Sequence, residues 1–118
     1  MKSFSTSLLV FGIYLVGMGA GLVLMPNTVF GILGFPASEE VWPRAVGVLA
    51  LVLAFYYISA ARAGISAFAH WTVPARIGVF VLFTLFALAK WVGPMLILIG
   101  SVDLLGALWT RWALKASQ

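Results

Sequence analysis

The chain has 118 residues, of which 64% are hydrophobic and 8% charged, with a formal net charge of +4 and no cysteine. A soluble domain carries about 25% charged residues, so this chain has too few to coat a water-facing surface, whereas a bilayer favours apolar side chains outside. The absence of cysteine excludes disulfides, thiol redox chemistry and thiolate metal sites. The basic balance would suggest nucleic acid in a soluble protein, but these bases sit at the ends of apolar stretches, where Lys and Arg orient a membrane protein, and nucleic-acid binding is rejected.

A spanning helix takes about 20 residues, so four of them nearly exhaust the chain. The expected architecture is all-α: one domain, residues 1–118, folded as a four-helix transmembrane bundle with short connections. The first helix is expected over about 5–25. Ser5, Thr6 and Ser7 offer capping oxygens, and Pro26 with Asn27 ends the helix. Its apolar run is longer than a usual signal-peptide core, and Met18 two positions before Ala20 makes a poor cleavage context, so it reads as a retained helix. Gly17 and Gly21 stand four apart, a close-packing spacing that predicts a helix–helix contact, inside the bundle or in self-association. Residues 28–35 are apolar but too short to span, and read as an interfacial or shallow re-entrant turn.

The second spanning helix is expected over about 39–61. Ser38 is its capping residue, Glu39 and Glu40 are acids in its first turn, and Pro43 stands early in it. Residues 63–72 are more polar and read as the longest internal loop, carrying the lone histidine, His70. The third helix is expected over 73–90, with Pro74 near its start, and the fourth over 94–112. Four spans put both termini and the 63–72 loop on one side, with Lys2, Arg62, Arg76, Arg111 and Lys115. Arg44 and Lys90 lie on the other. Five bases against two predict that both termini are cytoplasmic.

Asp103 is the residue with most chemical content. It falls near the middle of the last helix, where a carboxylate costs about 2.5–3.5 kcal/mol on insertion scales. It should therefore face the interior with a partner, or be neutral. Gly100, Asp103, Ala107 and Thr110 share one face of that helix, and Arg44, Gly47, Ala50, Ala54, Tyr57 and Ala61 share a face of the second. Both stripes are rich in small residues, which let helices approach in lipid. The two helices are expected to be neighbours through them, with Arg44 the first candidate partner of Asp103 and Lys90 the second. Asp103, Arg44, Tyr57 and Thr110 are the candidate ligand-binding or buried polar residues. One His supplies neither a metal site nor a paired haem ligation, so no metal or cofactor is expected.

The pattern Trp42-Pro-Arg44-Ala-Val-Gly47, then Tyr56-Tyr57, Arg62 and Arg76, then Asp103-Leu-Leu-Gly106-Ala107, resembles the small DoxX-like membrane proteins of bacteria. The resemblance runs from the second helix onward. It implies a four-helix bundle in the bacterial inner membrane, in a class some of whose members are linked to quinone-coupled oxidation. It carries over no catalytic motif.

These readings together predict a bundle that binds an apolar molecule (a lipid, quinone or isoprenoid) or a membrane partner, with Asp103, Arg44 and Tyr57 holding the polar end. Two other classes stay open: a membrane enzyme using Asp103 as general acid, and a homo-oligomeric channel or transporter subunit. A second well-placed carboxylate, a thiol and a nucleotide loop are missing for the former. Four helices enclose too little for the latter without further copies.

Overall fold

The computed structural model describes residues 2–91 and 93–116. It consists of five helices: α1 Ser3–Leu24, α2 Pro26–Leu33, α3 Trp42–Ala63, α4 Ser66–Leu88 and α5 Met95–Ala116. Four of them, α1, α3, α4 and α5, are long and apolar enough to cross a membrane. The bundle is flat, with principal extents of 46 × 29 × 17 Å. The bundle expectation holds, and many large apolar side chains face outward, among them Leu49, Phe55, Leu88 and Leu105.

The helices form two antiparallel pairs. In the first, α1 lies along α3, and in the second α4 lies along α5, with α1 also touching α5 and α4. The α1–α3 seam is made by glycine. A Cβ at Gly19 would stand 2.8 Å from the Gly47 carbonyl oxygen, and one at Gly47 would stand 2.7 Å from the Gly19 oxygen. Backbone meets backbone there. Gly12, two turns earlier, leaves room for the side chains of Ile58 and Tyr57. Gly17 faces open space and Gly21 meets only Val29 of α2. Within the chain Gly17 makes no helix contact, because the seam runs through the glycines at 12 and 19, spaced by seven residues or two turns.

The small stripes of α3 and α5 do not face each other either. Gly47 and Ala54 of α3 pack on α1, while Gly100 of α5 packs on Phe80 and Phe83 of α4. In lipid a small-residue stripe marks a close contact without naming the neighbour.

Several boundaries differ from expectation. Residues 26–33 form a true helix, opened by Pro26 at its first turn and closed by Gly34 in the left-handed region, φ 80°. Residues 63–72 are not a loop. The α3–α4 connection is only Gly64 and Ile65, with Gly64 at φ 67° and its neighbour Ile65 bonding back to the Ala60 carbonyl, a glycine-terminated helix end. Helix α4 starts at Ser66, so Pro74 is interior. In water an interior proline breaks helices, but among packed spanning helices it is tolerated. Ser38 does not cap α3, which begins at Trp42. Its Oγ instead accepts a hydrogen bond from the Glu40 amide at 3.1 Å. Helix α5 runs one turn past the expected end, to Ala116.

Candidate functional site

Two regions hold what chemistry the fold offers. The first is a buried polar cluster near the end that carries both termini. Arg76, 10 residues into α4 and so about 15 Å along it, is only 2% exposed. Its Nε donates to the Thr72 carbonyl at 3.4 Å, and its Nη2 donates to the hydroxyls of Thr72 at 3.1 Å and Thr110 at 2.8 Å. The guanidinium also lies over the rings of Phe11 and Tyr57, 4.8 and 5.6 Å from their centroids. That placement is favourable for a desolvated cation.

The hydroxyls form a directed chain. Ser7 Oγ donates to the Phe4 carbonyl at 2.7 Å, so its contact of 2.7 Å with Thr110 must be one it accepts. The run is Arg76 to Thr110 to Ser7 to Phe4, crossing α4, α5 and α1. Thr72 likewise spends its proton on the Ala69 carbonyl at 2.9 Å. Around this cluster pack Phe4, Leu8, Phe11, Tyr57, Ala61, Ala69, Ala113 and Leu114.

Of the candidate residues, the fold gathers Thr110 and Tyr57 here, both buried. Asp103 is half-buried two turns before Thr110 on α5, within electrostatic reach of Arg76, Tyr57 and Tyr14. Arg44 is exposed at the start of α3, which does not pack along α5, and so does not partner Asp103. Lys90 is also exposed, at the far end of α4. The base beside Asp103 is Arg76, which sequence reasoning had placed at a membrane surface. Ser5 and Ser7, expected as caps, are buried, and α1 starts without a side-chain cap.

The second region is a crevice at the opposite end, with a cavity of about 390 Å³. All five helices line it: Met18 and Leu22 of α1, Phe30 and Leu33 of α2, Trp42, Pro43 and Val46 of α3, Phe83 of α4, and Leu96 and Ile99 of α5, with Phe35, Ser38 and Glu40 from the α2–α3 connection. The walls are almost wholly apolar. Ser38 and Glu40 are shared with a second, polar hollow of about 400 Å³ lined by Asn27, Thr28, Glu39 and Arg44. The connection is held in place by the Ser38 amide, which donates to Asn27 Oδ1 at 2.8 Å. Nothing in the sequence singled out Phe30, Leu33 and Phe35 as a wall. Their apolar character was plain, but their role depends on α2 folding back over the bundle.

Among the described residues, no group of His, Cys, Asp or Glu could hold a metal ion. Comparison with protein-family models, with curated proteins and with solved structures finds no match to this chain.

Proposed function

We propose that this chain binds an amphipathic, lipid-like molecule, such as a phospholipid, quinone or isoprenoid. Its apolar part would lie in the crevice beneath α2, and its polar end at the mouth formed by Asn27, Glu39, Glu40 and Arg44. The observation that carries this reading is the coincidence of an apolar crevice with an adjoining polar hollow at one end of a membrane-spanning bundle. Ligand sites between bundle helices are mostly apolar with a few polar groups, in volumes of about 300–1,000 Å³. Arg44 thus belongs to the ligand's polar end, as the sequence suggested, while Asp103, Tyr57 and Thr110 belong to the other region. The DoxX-like resemblance supports a bacterial inner membrane as the setting.

The termini are proposed to be cytoplasmic. With Arg76 buried, the terminal end carries Lys2, Arg62, Arg111 and Lys115, and the crevice end carries Arg44 and Lys90. The bias keeps its sign. Reporter fusions at the C-terminus and at Ala37 should report opposite sides, the first inside.

Native mass spectrometry of the chain released from its own membrane tests the binding reading. One lipid-mass adduct per chain is expected, surviving mild delipidation and lost in Leu96→Trp, which fills the crevice. An adduct indifferent to that substitution, or none at all, would reject it.

A further inference from the structure

Arg76 has five N–H groups, and the protein satisfies three of them, one on Nε and two on Nη2. Nη1 is buried and has no partner. It lies beside Gly106, where a Cβ would come within 3.0 Å of it. A bare polar group in a buried site costs about 1–3 kcal/mol, and more when charged. Inside a membrane no bulk water relieves that cost.

The one acid within reach is Asp103. Glu39 and Glu40 precede α3, so Asp103 is the only acid in the four spanning helices. It stands one turn before Gly106 on α5, and its charge is felt by Arg76, by Tyr57, and by Tyr14, which follows Phe11 by one turn on α1. No hydrogen bond joins Asp103 to Arg76. Nη1 thus lies against α5 at Gly106, one turn from Asp103, with no direct bond between the two groups. A water buried among helices needs about two to four polar partners, and a cationic donor facing an anionic acceptor supplies the strongest two.

We propose that Asp103 is the counter-charge of Arg76 and that a single water bridges Nη1 to the Asp103 carboxylate, making an internal charge pair that joins α4 to α5. The water accepts from Nη1 and donates to the carboxylate. Gly106, having no Cβ, lets Nη1 approach the α5 backbone one turn from Asp103.

Asp103 is the only aspartate in the chain, so isotope-labelled aspartate marks one carboxyl group for infrared difference spectroscopy. The wild type should show the label as a carboxylate. Arg76→Gln should convert it to the carboxylic-acid band, because the acid loses its counter-charge, and Arg76→Lys should keep the carboxylate. Gly106→Ala sets a methyl 3.0 Å from Nη1 and so displaces the guanidinium while keeping its charge; this second variant should shift the carboxylate band and slow its response to heavy water. A carboxylic-acid band in the wild type, or a label indifferent to both Arg76→Gln and Gly106→Ala, would overturn the pair. A high-resolution structure with a dry gap at Nη1 would overturn the water.

Discussion

The two ends of this bundle are built from the same kind of sequence and reach opposite outcomes. At the terminal end, α1 contributes Phe4, Leu8 and Phe11, α3 contributes Tyr57, Ala60 and Ala61, α4 contributes Ala69, Thr72 and Arg76, and α5 contributes Ala107, Thr110, Ala113 and Leu114, all buried. At the other end α4 buries none of its described residues beyond Arg76, and the helices leave a crevice. The closed end has alanines that allow close approach, large aromatics that fill the remaining space, and hydroxyls that cross-link three helices around one guanidinium. Among the described residues the open end has close-packed glycine along the α1–α3 seam and at Gly100, where α5 meets Phe80 and Phe83 of α4, while Met18, Phe83, Leu96 and Ile99 line a gap. In lipid, apolar surface alone gives helices little reason to pack, and small residues and polar contacts decide where they close.

This contrast is broken most severely at Arg76. Arg76→Ala removes the guanidinium that touches all four long helices, and hydrogen bonds to a charged group are worth about 1.5–3 kcal/mol each. A loss of about 3 kcal/mol is expected, read from unfolding in mixed micelles. A loss below 1 kcal/mol would mean that the alanines and aromatics close this end unaided.

The α1–α3 seam comes next. Gly47→Leu drives a branched side chain into the Gly19 carbonyl and Leu22. Overpacking of this kind costs about 1–3 kcal/mol, and separation of the two helices should be visible as a lowered Tm. Gly17→Leu, facing open space, should change stability by less than about 0.5 kcal/mol. Equal effects at the two positions would erase the distinction between a seam glycine and a lipid-facing one.

These pairs also mark what was legible in the sequence. The number and character of the spanning helices followed from apolar runs of sufficient length, and the half-buried setting of Asp103 from its place within one of them. That Arg76 is the base within electrostatic reach of Asp103 did not follow. Pro74 read as a helix start, which placed Arg76 at a membrane surface, whereas the left-handed Gly64 ends α3 ten residues earlier and carries Arg76 inward. The spacing of Ala69, Thr72 and Arg76 is that of a helix face and could have shown this. Which helices are neighbours was not legible, since the small-residue stripes of α3 and α5 are alike and each fits α1 or α4 as well as the other. The crevice was not legible either, because a gap is a property of the assembled helices.

The smallest expected effect is at Lys90, which ends α4 with φ 63°, a left-handed conformation that favours glycine. The Trp91 amide bonds back to the Phe86 carbonyl at 3.0 Å across it. Lys90→Gly should stabilise the chain by about 0.5–1 kcal/mol, seen as a small rise in Tm with no change at either end of the bundle. A fall would mean that the Lys90 side chain holds the α4–α5 connection.

The central claim, that the open end receives an apolar chain while the closed end does not, is tested most directly by fluorescence. Trp42 lines the crevice, and Trp112 is exposed on the outer face of α5 near the terminal end. Two single-tryptophan variants, each with the other four tryptophans replaced by phenylalanine, can be titrated in detergent with a lipid brominated on its acyl chain, a contact quencher. Saturable quenching of Trp42 at one lipid per chain, abolished by Leu96→Phe, which fills the crevice without adding a tryptophan, with only shallow and unsaturated quenching of Trp112, is the predicted result. Parallel, unsaturated quenching of both tryptophans would contradict the account.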